Sequence, residues 1–327
     1  MTSKPSKRIP LAIALGVIAF VGFCRWSGVD LFERFELVTF DMRVRQALHH
    51  PVRHATNLAF VFIDEATIGG VRDGSLGYKY GLYWPRQVYG RAVKELADQG
   101  AEAIGLDVLL AGLRPDHPLV QMQDGSYLES DEFFAMESRL AGNLVLATTR
   151  DLSPPSLFLT NALRAADIST DRDADGVLRR AYPFRLYRDW HPAFRSVEAD
   201  PSYAVDLRRA RLEPRQVVLV RQGLEDIRIP LDQDGTFDLE DFWGASLPPG
   251  VPRRAKPFTE KRVWHMGIVL AALELGLDLD QASVNLERGR IRLTGKGQER
   301  EIPIDRQGRF YIDWSLPPNH PDLAQAP

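Results

Sequence analysis

The sequence predicts an α/β protein. It has a parallel sheet in a three-layer arrangement, an added β-hairpin-rich α+β half, and one transmembrane helix ahead of both. Three observations predict this. An uncharged run, "IPLAIALGVIAFVGFC", fills residues 9–24 behind Lys4, Lys7 and Arg8. Near-continuous apolar runs that include an acid, "NLAFVFID" and "AEAIGLDVLL", alternate with helical patterns, as buried parallel strands do. In the second half short strand patterns dominate, punctuated by Asp-Gly and Gln-Gly turns.

The chain has 327 residues, 44% of them apolar, enough for one large domain or two ordinary ones. A net charge of −3 without a basic block argues against a nucleic-acid partner. The single cysteine, Cys24, cannot form an intramolecular disulfide and leaves the redox compartment open.

Residues 1–8 read as a cytoplasmic tail and 9–29 as a transmembrane anchor. Sixteen helical residues span about 24 Å, short of a hydrocarbon core of about 30 Å. Arg25 can snorkel and Trp26 suits the headgroup zone, so the flanks complete the span. A cleaved signal peptide would need small residues at a cut site, and no Ala-x-Ala follows. A lipoprotein anchor at Cys24 would want a small residue where Phe23 stands. An uncleaved anchor fits best. The positive-inside tendency then exports everything after about Val29. This gives a single-pass protein of the inner membrane with its bulk periplasmic or extracellular.

Residues 30–56 form a connecting helix with Leu37, Phe40, Val44 and Leu48 on one stripe. The histidines at 49 and 50 sit beside Pro51 in a solvated loop. Residues 57–195 form the α/β core. Strand 57–64 leads through a glycine-rich loop to a helix opened by Pro85, with Val88, Ala92, Val93 and Leu96 inward and Gly100 as stop. The strand "AEAIGLDVLL", a helix capped by Ser130 and the strand "NLVLATTR" complete a right-handed parallel layer. Residues 196–262 read as an insertion with a first hairpin unit. Residues 263–316 form a second helix-hairpin unit, and 317–327 a tail. "IPLDQDGTFDLED" at 229 recurs as "IPIDRQGRFYIDW" at 302. Each copy follows a helix-like stretch, "YAVDLRRARL" or "MGIVLAALELGL", so a helix plus hairpin is duplicated.

"DRDADG" at 171–176 resembles the first half of a calcium loop. A calcium loop needs a bidentate Glu at position twelve. Tyr182 stands there, and Arg179 and Arg180 bring positive charge. Asp173, Asp175 and Gly176 are therefore read as a structural turn, and Asp232, Asp234 and Gly235 likewise. The arginines from 179 to 215 read as solvated faces, and His265 as a core histidine on an apolar helix face. Asp64 and Asp107 close two expected buried strands, at the sheet edge where α/β proteins bind ligands. Buried carboxylates need partners, and Arg86 is the candidate. No nucleophile elbow, phosphate loop, zinc-protease helix or cysteine pair is present. No catalytic residue, metal ligand or cofactor is assigned.

The order of elements carries a resemblance. "FDMRVR" follows the anchor. Then come "VFIDEATI", "WPRQVYGRAVKELADQGAEAIGLDVLL", "DADGVLRRAYPF" and "IPIDRQGRFYIDW". This is similar to the CHASE domain of type two, a bacterial extracellular sensing domain associated with cyclases and histidine kinases. Its most specific part is Trp84-Pro85-Arg86 with its helix, then Gly100-Ala101 and Gly105-Leu106-Asp107. Asp41, Asp64, Asp107, Asp175, Gly176 and Arg179 match recurrent polar positions. The likeness covers about 35–195 and 263–315. It implies a membrane-anchored extracytoplasmic sensor in bacterial signal transduction, with a cyclase, kinase or phosphatase output that this chain does not carry. The chain is then either a fragment or a solitary module that works through a homodimer or a separate signalling subunit. Asp64, Trp84, Arg86 and Asp107 are the candidate contacts for an unknown small-molecule ligand. The alternative is an anchored metal-dependent hydrolase using Asp64 and Asp107. A weaker one is an envelope scaffold using the proline-rich loop 244–257.

Overall fold

The computed structural model describes residues 8–26, 31–49, 57–75, 79–81, 84–244, 247–248, 250–314 and 324–326. The expected tail over 1–7, the anchor's end at 27–29, His50 and most of 317–327 lie outside the described residues. The chain forms two units, one of residues 1–79 with 312–327, the other Tyr80–Tyr311.

The first unit begins with helices α1 (Arg8–Trp26) and α2 (Leu31–Ala47). Ile13, Leu15, Val17, Ile18, Phe20, Val21 and Phe23 of α1 are exposed. Among the described residues no helix is long and apolar enough to cross a membrane, and side chains of α1 are described only for 13–23. In α2, Leu37, Phe40 and Val44 are half-buried as the stripe requires, while Leu48 is exposed. Strand β1 (Ala59–Val61) pairs in parallel with the last strand, Ala324–Ala326. It is not the buried strand expected: Phe60, Val61, Phe62 and Ile63 are 38–56% exposed, because that pairing is its only one among the described residues. Helix α3 (Glu65–Asp73) is capped at both ends. Asp64 accepts from the Thr67 amide at 2.7 Å and hydroxyl at 2.6 Å, and Gly74 closes the helix at φ 85°.

The second unit opens with α4 (Arg86–Asp98) and β2 (Ile104–Leu106). A short hairpin, β3 (Val120–Gln121) and β4 (Tyr127–Leu128), precedes α5 (Ser130–Ala141) and the fully buried β5 (Leu144–Thr148). A turn of helix, α6 (Ser156–Leu159), leads to β6 (Arg164–Asp167). The parallel sheet has the order β2-β5-β6. Helices α4 and α5 cover it with Val93, Phe134, Ala135 and, from α6, Phe158. Their crossing depends on Gly90, where a Cβ would lie 3.2 Å from the Phe133 ring and the Phe134 Cα. Ser130 does not cap its own helix; its hydroxyl accepts the Gln87 amide of α4 at 2.9 Å.

From Arg179 onward the chain is a pseudosymmetric duplication. "RRAYPF" at 179–184 returns as "RRAKPF" at 253–258. The first copy contains β7 (Arg180–Ala181), β8 (Phe184–Trp190) and α7 (Pro192–Ala199). An antiparallel meander follows, of β9 (Arg211–Glu213), β10 (Gln216–Leu219) and β11 (Ile227–Pro230), and then β12 (Phe237–Asp238). Helix α8 (Leu239–Trp243) links to the second copy. That copy has β13 (Arg254–Ala255), β14 (Phe258–Trp264) and α9 (Met266–Leu275). Its meander is β15 (Asp278–Asn285), β16 (Arg290–Gly295) and β17 (Gln298–Pro303), followed by β18 (Phe310–Tyr311). The last strand, Ala324–Ala326, is β19. The duplicated helix is α7, not the stretch at 203–212. That stretch forms two 3₁₀ turns and β9.

The copies face each other across β8 and β14. Phe184 opposes Trp264, Tyr187 opposes Lys261, and Trp190 opposes Phe258, so equivalent positions exchange across a local two-fold axis. The head strand of each copy holds the tail strand of the other: β7 pairs β18, and β13 pairs β12. The amides of His191 and His265 donate to Pro257 and Pro183, at 2.8 and 2.9 Å. Each imidazole also caps its helix, accepting from the amide two residues on at 3.2 and 3.3 Å. His265 is thus a cap and not a member of an apolar helix face.

The copies differ in what they cover. Copy one closes a core of its own around Phe194, Leu219, Phe237 and Leu239. Copy two shares its core with the parallel sheet, packing Val269 and Ala272 of α9 with Val145, Ala147 and Ala166. This explains why α9 is apolar on nearly every side while α7 shows Arg195, Ser196 and Glu198 to solvent.

Candidate functional site

Trp84 and Arg86 sit where α4 begins, and both are buried. The Trp84 ring stacks on Tyr89 with centroids 6.2 Å apart. Arg86 donates from Nη2 to the Gly112 carbonyl at 3.3 Å, and its Nε lies 3.8 Å from Asp131 Oδ1. Its carboxylate neighbour is therefore Asp131, in the first turn of α5. The other oxygen of Asp131 accepts the Arg114 amide at 2.5 Å. Arg114 makes a two-pronged pair with Asp116 at 2.8 and 2.7 Å. His117 follows and is 8% exposed.

This corner gathers buried polar atoms that lack hydrogen bonds, two of them compensated only by the long Arg86–Asp131 ion pair. Among the described residues, Arg86 Nε, Asp131 Oδ1 and both nitrogens of His117 are buried without a hydrogen-bond partner. Each such atom costs about 1–3 kcal/mol. Burial pushes the Arg86 guanidinium down, with Asp131 opposing the shift. Burial, and then the Arg114 charge, push the His117 imidazole down. Burial pushes the Tyr89 hydroxyl up. The arrangement can exchange hydrogen bonds; it contains no nucleophile aligned with a base.

The other candidates stand apart from this corner. Asp107 follows β2 and is exposed, and no hydrogen bond or ion pair joins it to Arg86. Asp64 belongs to the first unit, is exposed, and serves as the cap of α3. Neither is the buried strand-end carboxylate expected. That role falls to Asp167 at the end of β6, 1% exposed. It is held by Arg185 Nε at 2.8 Å, the Ser169 amide and hydroxyl at 2.9 and 2.5 Å, and the Tyr187 hydroxyl at 3.2 Å. Burial and Asp167 push the Tyr187 hydroxyl up. The sequence signal was a third strand-end acid, masked because "RAAD" carries no branched residue. His117 and Asp131 gave no signal at all.

The "DRDADG" segment forms a turn. Gly176 takes φ 82°, its amide reaches the Asp173 carbonyl at 2.8 Å, and the Asp173 amide reaches Val177 at 2.9 Å. Its acids are also occupied by arginines. Asp173, 8% exposed, accepts from Arg179 at 3.2 Å and Arg180 at 2.6 Å. Asp175 pairs with Arg179 at 2.8 Å, and Arg180 extends to Asp305 at 3.3 Å. Arg179 and Arg180 are buried, so the reading of these arginines as a solvated face is corrected. Among the described residues no group of three or more His, Cys, Asp or Glu side chains could hold a metal ion.

The CHASE2 domain family matches residues 14–324, a span that includes the segment 196–262 read from sequence as an insertion. No curated protein and no solved structure matches the chain. The match takes in nearly the whole chain, and the chain belongs to the CHASE2 family of extracellular sensory domains.

Proposed function

We propose that the chain is a membrane-anchored extracytoplasmic sensor in bacterial signal transduction, without catalytic activity of its own. The observation that carries this is the family match over residues 14–324. The anchor is supported by the uncharged run 9–24 behind three cations, and by α1 presenting apolar side chains outward from Ile13 to Phe23. The output of such a sensor is a cyclase, histidine kinase or phosphatase, in the same polypeptide or in a separate subunit. A ligand shifts such a sensor only by its differential affinity for two states. The corner of Trp84, Arg86, Asp131 and His117 supports a responsive site, because its buried unpaired atoms favour any state that pairs them. Asp107 and Asp64 stay candidate contacts on their exposure alone. Nothing favours the hydrolase reading over this one: Asp64 spends its carboxylate on Thr67.

The test is a fusion of a periplasm-only reporter after residue 60, beside a cytoplasm-only reporter at the same point. Activity of the first and silence of the second is expected. The reverse result rejects the placement.

A further inference from the structure

The first copy of the duplication, with Arg254 of the second, lines an open cavity of about 730 Å³ between α7, the meander and β12–β13. Its floor is aliphatic and aromatic, with Val197, Leu219, Ile227, Ile229 and Phe242. The size and floor suit a small organic ligand. Its charged rim is largely spoken for. Arg254 holds Asp232, Arg253 holds Asp238 at 2.7 Å, and Arg228 pairs with Glu213 at 3.4 Å. Asp200 accepts the Ser202 amide at 2.9 Å, and Asp241 stands within the field of Arg253.

Among the lining arginines Arg215 is the exception, and two observations bear on it. The residue lines the cavity, and its side chain makes no hydrogen bond or ion pair among the described residues. Its backbone is left-handed, φ 61°, a conformation that costs a non-glycine residue about 1 kcal/mol or more. The equivalent turn of the second copy uses Gly289, φ 62°. The two turns match in detail, since the Leu231 amide donates to the Arg215 carbonyl and the Ile304 amide to the Gly289 carbonyl, both at 2.8 Å. The fold is thus served by glycine at this position. An arginine held there under strain, its guanidinium without a partner among the described residues and the residue lining a cavity with apolar members, has a use other than shaping the turn.

We propose that this cavity binds a small organic monocarboxylate with an apolar body, its carboxylate on Arg215 and its body against the half-buried Val197, Ile227 and Phe242. A guanidinium offers a carboxylate two parallel donors, and the floor accepts the remainder. The inference goes beyond the sensory reading and does not depend on topology. A failed reporter fusion leaves the binding result standing, and the converse also holds.

The test uses the full chain in lipid nanodiscs, with empty nanodiscs subtracted. The probes are 3-phenylpropanoate, hexanoate and the neutral 3-phenylpropanamide, followed by calorimetry and saturation-transfer NMR. We expect the acids to bind and the amide to bind at least tenfold more weakly. Arg215→Gly should lose at least tenfold in affinity for the acids while its melting temperature is unchanged or raised. Arg209→Gln, at an exposed arginine outside the cavity, should stay within threefold of the parent. Arg215→Asn, which also tolerates the left-handed region, repeats the measurement should the glycine variant fold poorly. Four results would each overturn the proposal: neither acid binds, acid and amide bind alike, either Arg215 variant binds as the parent does, or both Arg215 variants fail to fold.

Discussion

Asp173 shows how a residue can be classed correctly and still be underestimated. The sequence places it in a turn, and it is in one. Its carboxylate also lies between the buried guanidinia of Arg179 and Arg180. Asp173→Asn leaves them undercompensated and should cost about 3–5 kcal/mol in chemical unfolding. The same geometry sets a metal prediction. With the loop's acids engaged by arginine, calcium should leave the melting temperature unchanged. Binding at a hundredfold excess over Kd would add about 2.7 kcal/mol and betray a site. Two pH effects follow. The hydrogen bonds from Arg179 and the Val177 amide pull Asp175 down to about 2. Its contribution is therefore complete above the ordinary carboxylate range and lost as pH falls from about 4 towards 2. His117, pushed below its ordinary 6.5 by burial, contributes above that value and loses the contribution as pH falls below it. Melting between pH 8 and 5.5 should show this decline, and His117→Phe should flatten it. Asp173 was legible because Asp-Gly turns are local chemistry. Asp131 and His117 were not, because Arg86 pairs with the first from 45 residues away in the chain and reaches the second only through its charge, from 31 residues away.

Elements were legible where period and caps agreed. Helices α5 and α9 and strand β5 read directly from spacing, because each buries one continuous apolar set; α4 was legible as a helix, but its buried face runs through Arg86, Gln87, Gly90 and Val93 and leaves Ala92, expected inward, exposed. Strand β1 misled for the opposite reason. Its run is as apolar as a central strand, yet apolarity reports what a segment would bury and not what covers it. Helix α7 was missed because "PAFRSVEA" is only eight residues long, too short to display a period. Close approach was also invisible in sequence. A Cβ on Gly295 of β16 would lie 2.2 Å from the Gly276 carbonyl oxygen and 2.7 Å from the Leu277 Cα. The neighbour is backbone and cannot move aside, so Gly295→Ala should destabilise by about 2–4 kcal/mol in denaturant titration. Gly90→Ala, between two helices that can part slightly, should cost less, about 1–2 kcal/mol.

At the scale of the molecule, the second unit carries three hydrophobic clusters within residues 93–310. Limited proteolysis should accordingly leave Tyr80–Tyr311 as a stable fragment by mass spectrometry. The α/β class and the duplication were both legible. The pairing of the copies was not, since a repeat in sequence says nothing about which copy's strand meets which. That pairing has a mechanical consequence. Because β7 clasps β18 and β13 clasps β12, neither half is whole without the other's arm. A chain nicked once at 247–250 should still migrate as one particle and come apart only in denaturant. A tug on Tyr311, where the chain leaves this handshake, would be felt first at Arg180, in the other half.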